Sequence, residues 1–227
     1  VFCAPTDHRI AGAFEPVARR ALDAAGDGGL VTVGVEPDRP ATGYGYIEPA
    51  ADPGDGAAPV VAFREKPDAD RAADLVERGC LWNAGMLAFE PDAFLASARD
   101  SPLAPLVVAL EDGTPDEGFA AVDPVSVDYA VLERADDISV VRATFDWNDL
   151  GAWDALRRVV DDTDGNTLLS EALTIDASGN VLASDDKHVS VVGVDGLVVA
   201  AYDDRVLVVP ADDAQRVREV VDHLDDA

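Results

Sequence analysis

Leu30-Val31-Thr32-Val33-Gly34-Val35 is an apolar run without polar alternation, a pattern that a strand carries when both of its faces are covered. Covering both faces needs layers above and below the sheet, and the neighbouring segments have helical spacing. Phe14, Val17, Ala18, Ala21 and Leu22 form one stripe of a helix over about residues 13–25. Residues 69–78 form a second amphipathic stretch, ending at Gly79, which suits a helix C-terminus. Residues 80–89 read as another buried strand, interrupted by the single polar residue Asn83, and residues 138–144 as a third. A further strand is expected at 60–63, returning from a Gly/Pro/Asp-rich hairpin loop at 51–58. Helices are expected at 91–98 and 105–111 and from Ser126 to Glu133. The alternation of elements predicts an α/β domain.

Phe145-Asp146-Trp147-Asn148-Asp149-Leu150-Gly151-Ala152-Trp153 follows the third strand and precedes a helical pattern over 153–160. It predicts a tight polar turn at the carboxyl edge of the sheet, where α/β proteins bind ligands. Asp146, Asn148 and Asp149 would offer hard oxygen donors there, although Asp149 as a helix cap accounts for the same letters. Asp7, in Pro5-Thr6-Asp7-His8, is a second acid after a strand and has the same two readings. Gly43 and Gly45 flank Tyr44, which suits either a close approach of backbone to ligand or a bulge. Asn83 must either bond to backbone or face a site.

Beyond residue 160 the texture changes. An acidic turn at 161–166 leads into short strands expected at 168–172, 174–175, 180–183, 188–192, 197–201 and 205–209, separated by turns such as Ser178-Gly179-Asn180 and Asp195-Gly196. An amphipathic helix over 211–224 ends the chain. The reading places a boundary near Asp161, giving domains 1–160 and 161–227. So small a β module buries little by itself, which makes it a candidate surface for homo-oligomer formation.

The formal net charge of −28 opposes binding to nucleic acid or an anionic membrane. No apolar run approaches the ~18 residues of a membrane helix. Two cysteines, Cys3 and Cys80, form no framework of bridges, so a reducing, cytoplasmic setting is expected. Only Lys66 and Lys187 are lysines among the 17 basic residues, and the acidic excess is spread along the chain. That combination is expected of a halophile, whose surface is screened by concentrated salt. The chain opens on Val1-Phe2-Cys3-Ala4 without an initiating Met, as the end of a buried strand, so an upstream portion is expected.

Pro5-Thr6-Asp7-His8, Thr42-Gly43-Tyr44-Gly45-Tyr46-Ile47, Phe63-Arg64-Glu65-Lys66-Pro67, Trp82-Asn83-Ala84-Gly85-Met86, Ser126-Val127-Asp128-Tyr129 and Trp147-Asn148-Asp149-Leu150-Gly151-Ala152-Trp153 occur in that order. Together they resemble the mannose-1-phosphate guanylyltransferases, or GDP-mannose pyrophosphorylases, over nearly the whole chain. The resemblance implies a Rossmann-like, mixed-sheet nucleotidyltransferase domain, N-terminally incomplete, then a small left-handed β-helix and a C-terminal helix. It implies nucleotidyl transfer from GTP to mannose 1-phosphate with Mg²⁺, giving GDP-mannose and pyrophosphate. It implies that Asp7 and Asp149 ligate the metal, that Gly45, Glu65 and Asn83 face the mannose, and that Lys66 meets the sugar phosphate. Asp7, Lys66 and Asp149 would then form the catalytic set.

Ala84 stands where the family usually has Ser, and Asn148-Asp149-Leu150 replaces the commoner Ser-Asp-Val. The family's glycine-rich phosphate loop has no counterpart here. Residues 1–227 alone are therefore expected to bind GTP weakly and to make no GDP-mannose until upstream sequence is restored. Two alternatives stay open, a relative using another sugar or base and a non-catalytic sugar-phosphate-binding paralogue.

The acidic coat predicts salt-dependent stability. The screening distance grows from about 3 Å at 1 M salt to about 10 Å at 0.1 M, which lets carboxylates repel. The melting temperature should rise markedly from the lower to the higher salt concentration, and a scan that is flat across this range would remove the halophile reading.

Overall fold

A computed structural model describes residues 1–135, 137–150, 156, 157, 160 and 162–225. The helix expected over 153–160, the Gly151-Ala152-Trp153 end of the motif and the boundary at Asp161 fall wholly or largely outside these residues. The chain divides into two compact units, one of residues 1–6 and 10–147 and the other of residues 7–9 and 148–227.

The first unit is built on a mixed sheet of β1 (Phe2–Cys3), β3 (Leu30–Val35), β4 (Tyr46–Pro49), β5 (Ala57–Arg64), β6 (Leu81–Phe89) and β7 (Ile138–Arg142), in the order β1-β6-β3-β7-β5-β4. β3 and β7 are parallel, while β3 and β6 are antiparallel. β4 also pairs with the start of β6, through Tyr46↔Trp82 and Ile47↔Leu81, so five strands close on themselves. All six residues of β3 are buried, as its apolar run requires. Gly34 is needed in that run because a Cβ there would lie 2.7 Å from Leu81 Cδ1 and 2.9 Å from Val140 Cγ2.

Helices cover both faces. α1 (Phe14–Ala25) buries Val17, Ala21 and Ala25 in a cluster with Val31, Val33 and Met86. α2 (Ala69–Glu77) adds Ala72 and Leu75 to the same cluster, and Asp68 caps it by accepting from the Arg71 N–H at 2.8 Å. A second cluster joins Leu30, Leu87 and Ile138 to α3 (Pro91–Arg99), α4 (Ala104–Glu111) and a π-helical turn, Asp128–Leu132. α5 (Pro115–Ala120) is a short helix with no counterpart in the sequence reading.

Asp146–Asp149 is a strand, β8, paired with β2 (His8–Ala11), and this corrects the expected polar turn. Asp and Asn favour turns locally, but Trp147 buries its indole while Asp146 stays exposed, and β2 supplies backbone partners. β5 also starts earlier than expected, at Ala57.

The second unit contains a β-helix. β10 (Asn166–Leu168), β12 (Val181–Ser184) and β14 (Leu197–Tyr202) stack in parallel, and β11 (Ala172–Ile175) pairs with β13 (Val189–Val192), also in parallel. β9 (Asp162–Thr163) and β15 (Arg205–Pro210) pair antiparallel at the two edges. A 3₁₀ turn, Ala211–Arg216, and α6 (Val217–Asp225) follow. Leu182, Val189, Val191, Val199 and Ala201 fill the interior.

Two buried asparagines tie successive coils together. The Asn180 amide donates to Asn166 Oδ1 at 2.8 Å and to the Val194 carbonyl at 3.0 Å, and its own Oδ1 accepts from the Leu197 N–H at 2.9 Å. Asn180→Ala would strand several buried polar groups, each costing about 1–3 kcal/mol. Chemical denaturation followed by circular dichroism should show a loss of about 2–4 kcal/mol. An unchanged midpoint would mean that the ladder carries little of the stability.

Candidate functional site

In the first unit the site is organised by a bulge in β6. Thr32 pairs with Leu87 and Gly34 with Asn83, so the residues between Asn83 and Leu87 exceed those opposite them and the register shifts. Gly85 takes φ 65 within this bulge, a conformation that glycine reaches at little cost. The bulge folds the Gly85 N–H onto Asn83 Oδ1 at 3.0 Å, and the Thr32 hydroxyl lies 3.3 Å from the same oxygen. On the other side, Asn83 Nδ2 donates to Asp128 Oδ1 at 2.7 Å. Ala84 is fully buried in the core.

Gly45 and Glu65 join this cluster. The Asn83 backbone N–H donates to the Gly45 carbonyl at 2.8 Å. A Cβ on Gly45 would overlap Glu65 Oε2, so glycine there makes room for the carboxylate. Glu65 Oε1 lies 3.2 Å from Lys66 Nζ. Lys66, half-exposed, sits at φ 42, a left-handed conformation that costs a non-glycine residue energy and that clusters at functional positions. Loss of hydration raises the Glu133 carboxyl above its ordinary range, with help from the Glu65 and Asp128 carboxylates, while Arg64 opposes them. The cluster therefore combines acceptors suited to hydroxyl groups with an ammonium suited to an oxyanion.

The segment leading into Gly45 is held by aromatic packing. Tyr44 meets Trp82 and Trp147 edge-on, each at 5.1 Å between centroids, and the Arg39 guanidinium lies 5.0 Å over Trp82. The Tyr46 hydroxyl donates to the Ala41 carbonyl at 2.9 Å.

Asp7 and Asp149 lie together in the second unit. His8 Nε2 is 4.0 Å from Asp7 Oδ1 and 3.9 Å from Asp149 Oδ1, so the two carboxylates flank one imidazole edge. The Leu150 N–H donates to the Asp7 carbonyl at 3.2 Å, tying the two segments by backbone. Among the described residues, no three His, Cys, Asp or Glu side chains form a metal-holding group. Two carboxylates nevertheless fit Mg²⁺, which binds through one or two carboxylates and fills its other positions with water and phosphate oxygens.

The structure thus groups Gly45, Glu65, Lys66 and Asn83 within one unit, and Asp7 and Asp149 within the other. Sequence reasoning missed Thr32 and the pairing of Asp128 with Asn83. Ser126-Val127-Asp128-Tyr129 was visible as a motif, but nothing in its letters connects position 128 to position 83. No helix among the described residues is long and apolar enough to cross a membrane.

Residues 1–165 match the nucleotidyl transferase family, and residues 170–224 match the mannose-phosphate isomerase/GMP-like β-helix domain. A mannose-1-phosphate guanylyltransferase of Sinorhizobium fredii is 34% identical over 97% of this chain and 46% of its own length. One of Escherichia coli is 35% identical over 93% of this chain and 48% of its own length. A crystal structure described as a mannose-1-phosphate geranyltransferase from Thermus thermophilus superposes with a TM-score of 0.85 at 36% identity, covering 99% of this chain and 69% of that one. The chain spans about half the length of the curated relatives it matches.

Gly45→Ala should push the Glu65 carboxylate away and break its 3.2 Å contact with Lys66, with little backbone strain because Gly45 has no positive φ. A crystal structure of the variant should show Glu65 in another rotamer. An unmoved carboxylate would mean that Gly45 is not reserved for Glu65.

Proposed function

The chain belongs to the nucleotidyl transferase family, and on that premise we propose that it is part of an enzyme that makes GDP-mannose and pyrophosphate from GTP and mannose 1-phosphate. The observation that carries this reading is the Gly45–Glu65–Lys66–Asn83 cluster, which supplies hydroxyl-binding groups and an ammonium in one place. The names of the relatives support mannose and guanine as the sugar and the base.

In the proposed reaction an oxygen of the sugar phosphate attacks the α-phosphorus of GTP. The bond from that phosphorus to the bridging oxygen of the β-phosphate breaks, and pyrophosphate leaves. Glu65 accepts hydrogen bonds from sugar hydroxyls, and Asn83 donates its remaining amide N–H to the same sugar. Lys66 meets the sugar phosphate as a compact ammonium, which lets two polyanions approach. Asp7 and Asp149 are the residues that would hold Mg²⁺, which when bound offsets phosphate charge.

The test is an assay of the full-length protein with GTP and mannose 1-phosphate beside a panel of other nucleotides and sugar 1-phosphates, read by chromatography of the nucleotide sugar. GDP-mannose should form fastest. A clear preference for another sugar or base, or no transfer with any pair, would overturn the reading. In the same assay Lys66→Arg should raise KM for the sugar phosphate, because a planar guanidinium cannot replace the ammonium. Lys187→Arg should be silent, since Lys187 bonds to Asp185 on a β-helix turn. Asp7→Asn and Asp149→Asn should each raise the Mg²⁺ needed for half-maximal rate by on the order of tenfold or more. Unchanged Mg²⁺ dependence in both would remove them as ligands.

A further inference from the structure

We infer that Asp128 is a positioning residue for the sugar, acting through the Asn83 amide; the inference rests on the function proposed above. A side-chain amide has an oxygen face and an NH₂ face that differ little in shape, and its orientation follows from its partners. At Asn83 all three partners agree. The Gly85 N–H and the Thr32 hydroxyl are donors and fix Oδ1, and the Asp128 carboxylate, an acceptor, fixes Nδ2. The Thr32 proton is shared, because its hydroxyl also lies 3.2 Å from the Met86 carbonyl. Without the carboxylate the NH₂ face loses its strongest anchor, since a bond to an ionised acceptor is about twice as strong as a neutral one.

The consequence for recognition is specific. Oδ1 faces into the bulge, where it accepts from the Gly85 N–H and shares the Thr32 proton with the Met86 carbonyl, so what Asn83 offers a ligand is its second N–H. Asn83 therefore acts as a donor to a hydroxyl oxygen, beside Glu65 acting as an acceptor. Asp128 sets that polarity, and its negative charge strengthens the N–H it holds.

Asp128 is itself well anchored. It opens the π-helical turn, whose Glu133 N–H donates to the Asp128 carbonyl at 2.9 Å, and Ala130, Val131 and Leu132 bury their side chains beneath it. The Ser126 hydroxyl accepts from the Tyr129 N–H at 3.4 Å at the start of that turn. π-Helical turns of this kind recur at functional positions. Asp128 also lines, with Gly85, a cavity of about 310 Å³.

Calorimetric titration of the full-length protein with mannose 1-phosphate, and separately with GTP, tests the inference. Asp128→Ala should weaken sugar-phosphate binding about ten- to a hundredfold and leave GTP binding within about twofold. On an Asn83→Ala background the same substitution should add less than about a further twofold, because the group it positions is gone. Asp128→Asn keeps an acceptor and should lose only about three- to tenfold. Should Asp128→Ala fail to fold, Asp128→Asn decides by the same comparison on both backgrounds. Wild-type binding in the Asp128 variants, an equal loss with and without Asn83, or a parallel loss of GTP binding overturns the inference and leaves the proposed function standing. Wild-type protein that binds no mannose 1-phosphate removes that function, and the inference with it.

Discussion

The first unit depends on how one half-buried amide is satisfied. Asn83 interrupts an otherwise apolar strand, and a polar side chain there would destabilise the sheet unless its groups found partners. The β6 bulge supplies them, with Gly85 turning its N–H inward and Thr32 reaching across from β3. The same bulge sets the register of β3 against β6, and β6 is the strand to which β1, β3 and β4 all pair. Fold and candidate sugar site therefore share one device. The carbonyl of Gly45, the Asn83 amide and the Asp128 carboxylate take their places from it, and Glu65 fills the space left by the missing Cβ of Gly45.

Charge has a different logic. A net charge of −28 keeps the surface strongly negative, yet the reaction proposed here must gather phosphates. The ammonium in the first unit's cluster is that of Lys66, held beside Glu65 in a strained backbone conformation. Strain of that kind persists only where the surroundings enforce it. The other lysine, Lys187, is occupied by Asp185, whose carboxyl it holds well below the ordinary range.

The second unit solves its own problem by stacking. Strands of three to six residues bury little one at a time, and parallel coils gain a continuous interior only when each sits on the next. Asn166 and Asn180 meet the turn backbone that such stacking leaves inside, bonding to the carbonyls of Asp164, Ala177 and Val194.

The sequence by itself determined the element types wherever periodicity was strong. The apolar β3, the stripe of α1, the strand around Asn83 and the short strands from residue 180 onward were legible, because burial on one or two faces writes a period into the letters, whereas the strand expected at 168–172 falls largely on the segment between β10 and β11. The ordered motifs carried the family resemblance and named Asp7, Gly45, Glu65, Lys66, Asn83 and Asp149. Tertiary structure decided what local propensity could not. Asp146–Asp149 reads as a turn from Asp and Asn alone and becomes a strand because β2 lies alongside and the core takes Trp147. The closure of β4 onto β6, the bulge that aims Asn83 and the hydrogen bond from Asn83 to Asp128 join residues far apart in the chain. Contacts of that kind leave no local period in a single sequence, since their energy exists only once both partners have been brought together.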